Sequence, residues 1–272
     1  MSASFQVGAI QVQVIRDGAL RLDAQRMFGE ERAAVLREQG SLDEAGRFVI
    51  GVHCLLVRSG DRIAILDTGL GLSDASPSAS NVFEARGQLL PELGRLGVDP
   101  AAVDVVVLSH AHTDHIGGVL HQGRPAFPRA RYVLGAADFA HYTSPQAQAE
   151  TSFHARQLVP LQEHGQLELA EGELEVLPGV RVLPAPGHTP GHLCVGLTSA
   201  GEFGLYVGDL VHHPIQVEHP DWSPTIDWLP ALSAESRRAM LARARAERAL
   251  VLTAHLPFPG AGRVAAGWTP GA

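Results

Sequence analysis

Residues 105–118 read VVVLSHAHTDHIGG. An apolar run, VDVVVL at 103–108, leads straight into three histidines and an aspartate between positions 110 and 115. Such a run is typical of a strand covered on both faces, so the ligand-type residues leave a buried strand at its end. In an extended backbone His110 and His112, two apart, send their rings to the same side. Asp114 and His115 fall where the chain turns toward a helix expected just beyond Asp114, and they can face a second point a few ångströms away. Gly117 and Gly118 allow close backbone packing under the loop. A polar loop facing water is the plain alternative, but four ligand-type residues at this spacing are hard to obtain by accident.

The rest of the chain alternates strand and helix signals. Strands are expected at 9–15, 48–57, 62–66, 131–134, 180–184, 192–198, 203–208 and 249–254, with a hairpin turn at Ser59-Gly60-Asp61. Helical periodicity appears at about 24–39, 82–96, 136–142, 147–163 and 231–247. That order predicts an α/β (α+β) architecture of sheets flanked by helices. No repeat or long linker interrupts 1–272, so one domain is expected.

Composition narrows the function classes. Twenty-one basic side chains against 29 acidic ones leave a formal charge of −8, which repels phosphate backbones and anionic lipid, so neither nucleic acid nor membrane is expected as a partner. No apolar stretch approaches a membrane span and no leader is apparent, which makes the cytoplasm the expected location. Cys54 and Cys194 form no CxxC pair and are expected as buried thiols. Histidine is over-supplied, at 14.

Further ligands are then expected at other strand ends. PAPGHTPGH at 184–192 offers His188, YVGDLVHH at 206–213 offers Asp209, and LTAHLP at 252–257 offers His255. Each alone is weak. Together with His110, His112, Asp114 and His115, and with LDTG at 66–69, they resemble the metallo-β-lactamase superfamily from about residue 48 to 258. The resemblance implies a four-layered αβ/βα sandwich with two metals at one edge of the packed sheets. It implies that His110, His112 and His188 hold the first metal, that Asp114, His115 and His255 hold the second, and that Asp209 bridges them. Imidazole and carboxylate without thiolate suit two divalent ions, Zn²⁺ first, with Mn²⁺, Fe²⁺, Co²⁺ and Ni²⁺ fitting the same donors.

Two such ions about 3.5–4 Å apart share a bridging water and bring its pKa toward neutrality, which points to hydroxide attack on ester-like bonds. Among family branches, true β-lactamases usually lack the bridging carboxylate. Glyoxalase II, RNA-processing and flavin-linked members carry added domains or altered motifs. The quorum-quenching lactonase branch and the methyl-parathion-hydrolase-like branch remain. The expected activity is opening of lactones of the N-acyl homoserine type, with promiscuous phosphotriesterase activity. The alternative is an organophosphate or aryl-ester hydrolase, and the other class is a non-catalytic binding protein on the same fold. The lactonases carry tyrosine three residues after the bridging aspartate; here it is His212, a departure toward the organophosphate branch.

Asp114 and His212 are therefore the expected catalytic proton carriers. Asp67 is expected to orient a ligand from outside, and His192 to do so as a donor. Met27 and Phe28, on a helical face with Val35 and Leu36, and Trp222 and Trp228 in the loop after Asp209, are expected to wall an apolar substrate pocket. Segment 17–47 is expected either to fold over the cleft, to pair subunits in a homodimer, or simply to pack. His53 falls in a strand, His213 is read as structural, and His121, His141, His154, His164 and His219 as surface residues.

Overall fold

The computed structural model describes residues 1–72, 81, 86–145 and 152–271. The strands, in chain order, are β1 (Ser2–Val7), β2 (Ile10–Asp23), β3 (Arg47–Ser59), β4 (Arg62–Leu66), β5 (Val105–Val107), β6 (Leu120–His121), β7 (Arg124–Pro125), β8 (Arg131–Gly135), β9 (Leu167–Ala170), β10 (Leu174–Leu177), β11 (Val180–Pro184), β12 (Leu193–Ser199), β13 (Glu202–Tyr206), β14 (Leu250–Leu252), β15 (Ala261–Val264) and β16 (Trp268–Pro270). One seven-stranded sheet has the order β1-β2-β3-β4-β5-β8-β9, and a second runs in order from β10 to β16.

Strands β1 to β4 pair antiparallel, β1 with β2 and β3 with β4 through short turns and β2 with β3 through the two-helix segment 24–46, whereas β4, β5, β8 and β9 run parallel. The second sheet is antiparallel except where β13 pairs parallel to β14. The central parallel strand β5 is short and apolar on both faces, as its double burial requires, whereas β9 at the sheet edge carries Glu168 and is only partly buried. Between the sheets lies one core, with Val12, Val14, Leu55, Val57, Val105 and Val107 facing Val180, Val182, Val195, Tyr206 and Leu252. Helices Leu89–Arg95, Ala136–Thr143 and Ser152–Glu163 cover the outer face of the first sheet, and Pro230–Ala246 covers the second. The result is the αβ/βα sandwich. Among the described residues no helix is long and apolar enough to cross a membrane.

Several boundaries differ from expectation. β1 and β2 extend well beyond 9–15, and strands β9, β10, β15 and β16 carried no clear period-2 signal. The helix expected at 24–39 is two helices, Ala24–Phe28 and Glu30–Glu38, because Gly29 adopts φ 83° and ends the first. Of the face expected there, Met27, Phe28 and Leu36 are buried, but Val35, one position from Leu36 in the same helix, points away and is 37% exposed. Of the helices expected at 82–96 and 147–163, residues 82–85 and 147–151 lie outside the described residues. Both thiols, Cys54 and Cys194, are buried and free.

A bulge in β2 between Arg16 and Gly18 leaves Asp17 out of the ladder. Bulges re-aim side chains, and Asp17 turns inward to accept from the backbone N–H of Leu70 (2.9 Å) and Leu89 (2.9 Å). It thereby ties down the turn after β4. Gly117 packs backbone to backbone on that turn: a Cβ there would lie 2.2 Å from the carbonyl oxygen of Leu70.

Candidate metal centre

The expected ligands leave the carboxyl ends of β5, β11, β13 and β14, at one edge of the sandwich. After β5 the chain stays extended through His112 and turns into helix Thr113–Ile116, so the helix starts before Asp114 rather than beyond it. Asp114 and His115 thus occupy its first turn. The two sheets are stitched here by backbone bonds. Leu193 N–H donates to Ser109 O (2.7 Å), and Gly51 N–H donates to His255 O (3.0 Å).

Asp209 sits in the middle. Its Oδ2 is 3.1 Å from Nε2 of His188 and 3.6 Å from Nε2 of His110. Nδ1 of His112 is 2.9 Å from the same His188 nitrogen. The other oxygen, Oδ1, is 3.0 Å from Nε2 of His115 and 2.9 Å from Nε2 of His255. Asp114 Oδ2 lies 3.8 and 3.7 Å from those two nitrogens. The carboxylate therefore faces two separate donor sets, His110/His112/His188 and Asp114/His115/His255, and makes a third ligand-type group with His212 and His255.

Each ring that offers Nε2 is fixed through Nδ1. His115 Nδ1 donates to Asp67 Oδ2 (2.7 Å), His188 Nδ1 to Asp227 Oδ1 (2.8 Å), and His255 Nδ1 to Gly51 O (2.8 Å). The Nδ1 of His110 lies 3.0 Å from Ser109 Oγ, which donates its own proton to Asp67. Partners on Nδ1 select the tautomer whose lone pair on Nε2 points inward, the arrangement a cation needs.

The cluster fits divalent ions on its own geometry. Nε2 of His110, Nε2 of His115 and Oδ1 of Asp209 are buried and have no hydrogen-bond partner. Buried polar atoms without partners are costly, and a bound cation would satisfy all three. The electrostatics agree. Burial alone would raise the Asp209 carboxyl, yet His115, His255, His110 and His212 hold it well below the carboxylate range. Burial alone would lower His188, yet Asp209 and Asp227 raise it to about 9. His115 and His255 are likewise raised against burial by Asp209. Burial, with neighbouring imidazoles, pushes His110 and His112 well down. Without ions the pocket gathers protons around Asp209: it is built for positive charge.

Access is one-sided. His110, His188, Asp209, His212 and His255 are all buried, whereas the Asp114 side chain is 12% exposed and His112 is half-buried. Asp114 and His112 are thus the ligand-type side chains nearest to solvent.

The remaining expected site residues divide. Asp67, itself buried, accepts from Ser109 N–H (2.6 Å), Ser109 Oγ (2.7 Å) and Tyr206 OH (2.6 Å) as well as from His115. His192 lies beneath the centre, but its Nε2 accepts the Asp209 backbone N–H (3.1 Å), so it acts as an acceptor rather than a donor. Burial holds its pKa at about 3, which keeps that lone pair free. His212 Nε2 is 3.1 Å from Asp209 Oδ2, and its ring stacks on His255 with centroids 5.2 Å apart.

Met27 and Phe28 are buried in a cluster with Leu36, Phe48, Ile50 and Ile215, against which Trp222 packs. Arg32 lies over the Trp222 ring, and Thr225 N–H donates to Met27 O, so segment 24–38 is fastened to the loop after Asp209. Trp228 is 48% exposed. Its backbone N–H donates to His188 O (3.0 Å), and its ring lies 6.3 Å from the His141 ring. His121, His141, His164 and His219 are exposed, but His154 is buried, stacked on Tyr142 at 4.6 Å.

Three residues important to the centre were not singled out. Asp138 accepts from Ala111 N–H (2.9 Å), Thr189 Oγ1 (2.9 Å) and Gly191 N–H (2.6 Å), joining the two histidine loops. Asp227 anchors His188. Arg237, on the apolar stripe of its helix with Ala234, Leu241 and Ala244, was the one readable signal, since a charge on such a stripe demands partners.

An αβ/βα sandwich with an Asp-centred imidazole cluster at its edge defines a class of metal-binding proteins. The chain belongs to the metallo-beta-lactamase superfamily, whose family model matches residues 47–255. An N-acyl homoserine lactonase of Bacillus cereus is 29% identical over 154 residues, covering 52% of this chain and 56% of that protein. The chain thus spans about half the length of the curated relatives it matches. Among solved structures, hydrolase AbOPH of the beta lactamase superfamily superposes with a TM-score of 0.86 at 23% identity, covering 100% of this chain and 97% of the other. AidC, a dizinc quorum-quenching lactonase in complex with a product, N-hexnoyl-L-homoserine, gives a TM-score of 0.83 at 24% identity, with coverage of 100% and 97%. At those identities the likeness is one of fold.

Proposed function

We propose that this chain is a dinuclear metal-dependent hydrolase that opens lactones of the N-acyl homoserine type. The observation that carries the reading is the division of Asp209, one oxygen toward His110 and His188 and the other toward His115 and His255. Similarity to N-acyl homoserine lactonases supports the lactone as substrate class. Zn²⁺ is the favoured ion on donor chemistry.

A bound ion pair would supply an activated water and polarise the ester carbonyl. The chain's own residues do the rest. Asp209 and the fixed imidazoles hold the two donor sets apart and keep bulk water from the centre. Asp114, the most exposed carboxylate of the cluster, meets the substrate first, and Asp114 or His212 takes the proton released by the attacking water and passes it to the leaving alkoxide. His212, pressed against Asp209 Oδ2, steadies that carboxylate and offers its ring toward the same space. Trp228, with exposed Ile226 and Leu229 beside it, gives the mouth an apolar flank suited to an acyl tail.

A second reading, hydrolysis of aryl phosphotriesters, is favoured by His212 standing where the lactonases carry tyrosine. The deciding experiment compares kcat/KM of metal-loaded protein on acyl homoserine lactones, simple γ- and δ-lactones, an aryl phosphotriester, a glutathione thioester and a β-lactam. The lactone reading requires the acyl homoserine lactones to lead. A leading phosphotriester would establish the second reading, and no turnover of any of them would end both.

A further inference from the structure

Helix Pro230–Ala246 does more than cover the second sheet. Its inward face carries Ser233, Ala234, Arg237, Leu241 and Ala244, and Arg237 heads the large side chains that are fully buried. A guanidinium does not shed its charge, so its burial is tolerated only where its donors are satisfied. Here they are. Nε donates to Leu210 O, Nη1 to Pro220 O (2.7 Å), and Nη2 to Ser233 Oγ (3.1 Å) and Asp227 Oδ2 (3.4 Å).

The acceptors all lie in the segment that follows Asp209, but one of them reaches across to the His188 loop. Leu210 directly follows Asp209. Asp227 receives His188 Nδ1–H on its other oxygen. The same helix grips the His188 loop again: Ser236 Oγ donates to Pro186 O (2.7 Å), and Gly187, at φ +128°, approaches so closely that a Cβ would lie 2.1 Å from Ser233 N. Both loops are thus indexed to one helix, the His188 loop through Ser236 and Gly187 and the segment after Asp209 through the planar fork, whose reach to His188 runs by way of Asp227. Lysine, a point donor on a flexible stem, would not reproduce that fork.

We infer that Arg237 is a positioning residue that registers the His188 loop against the Asp209 turn, so that both reach the same ion. It touches no reacting atom. Its influence runs through Asp227 to His188 and through Leu210 to Asp209, and falls on the donor set of His110, His112 and His188. The inference rests on the metal reading above but is independent of which substrate is turned over.

The test uses full-length Arg237→Met and Asp227→Asn. ¹¹³Cd NMR gives one resonance per site, and competition with a chromophoric chelator gives affinities. In both variants the ion held by His188 should bind about 10–100-fold more weakly with a shifted resonance, while the other resonance stays in place. The double variant should lose less than the product of the single losses, since both changes cut one path. A helix-packing role alone would lower the melting temperature and leave both resonances unmoved, which overturns the inference. If Arg237→Met does not fold, Asp227→Asn decides, and wild-type affinity at both of its sites overturns the inference. A wild-type protein that binds no metal would instead remove the metal-centre reading itself.

Discussion

Asp67 accepts a 2.7 Å hydrogen bond from Nδ1 of His115, and the two side chains are almost wholly buried. Asp67 holds φ 58°, a left-handed conformation rare for a residue with a side chain, and four donors to one carboxylate keep it there. Asp67→Asn leaves the turn a similar shape but removes the charge that fixes the His115 tautomer. The Asp114/His115/His255 site should lose about 10–100-fold in metal affinity, with little change at the other site. Two-step chelator titration checks this; equal weakening of both sites would mean that Asp67 serves the fold and not the ligand.

Asp209→Ala should be the most damaging single change. It removes the anion that faces five imidazole nitrogens at 2.9–3.6 Å. Metal content measured by elemental analysis should fall from two ions toward one or none, and turnover by at least ~100-fold. Circular dichroism should retain the wild-type spectrum. Undiminished turnover would refute a bridging role.

The metal loop was legible because strand-end spacing is short and local. His110, His112, Asp114 and His115 sit within one turn of chain, and His188, Asp209 and His255 each close an apolar run. Sheets flanked by helices were legible because several buried strands read as β-branched stretches, whereas the sandwich itself followed only from the resemblance that the ligand residues carry. The outer contacts were not. Asp138 and Asp227 are single acids in polar loops, and only tertiary packing decides that they face Ala111 and His188. Asp17 depends on a bulge that no local pattern announces. Met27 and Phe28 were read as pocket walls because an amphipathic face does not say what covers it; here Phe48 and Ile215 do.

Acid stability should depend on His53. The ring is buried, its Nδ1 lies 3.3 Å from Thr253 O, and burial lowers its pKa from 6.5 to about 3. The unfolded chain therefore takes up this proton first as pH falls. The contribution to stability is intact above pH 6.5 and declines toward pH 3, by about 1.4 kcal/mol per pH unit. His188, raised to about 9, acts in the opposite sense and only above pH 6.5 in the metal-free protein. In urea unfolding of metal-free protein, His53→Gln should flatten the loss between pH 6.5 and 5 by about 2 kcal/mol. An unchanged pH slope would contradict this.

His212→Ala separates chemistry from metal binding. The ring packs on His255 and faces Asp209, and the three form a ligand-type group of their own, but His110/His112/His188 and Asp114/His115/His255 stay complete without it, so two ions should remain bound. Lactone kcat should fall by about 100-fold, in the range of a lost acid–base group. An unchanged rate with full metal content would show that His212 only supports the loop.

The central claim is that one carboxylate divides two ions. Anomalous diffraction at the zinc edge from crystals of zinc-loaded protein tests it most directly. The account predicts two peaks about 3.5–4 Å apart, one on the His110/His112/His188 side of Asp209 and one on the Asp114/His115/His255 side. A single peak, or two peaks that do not share Asp209, would contradict it.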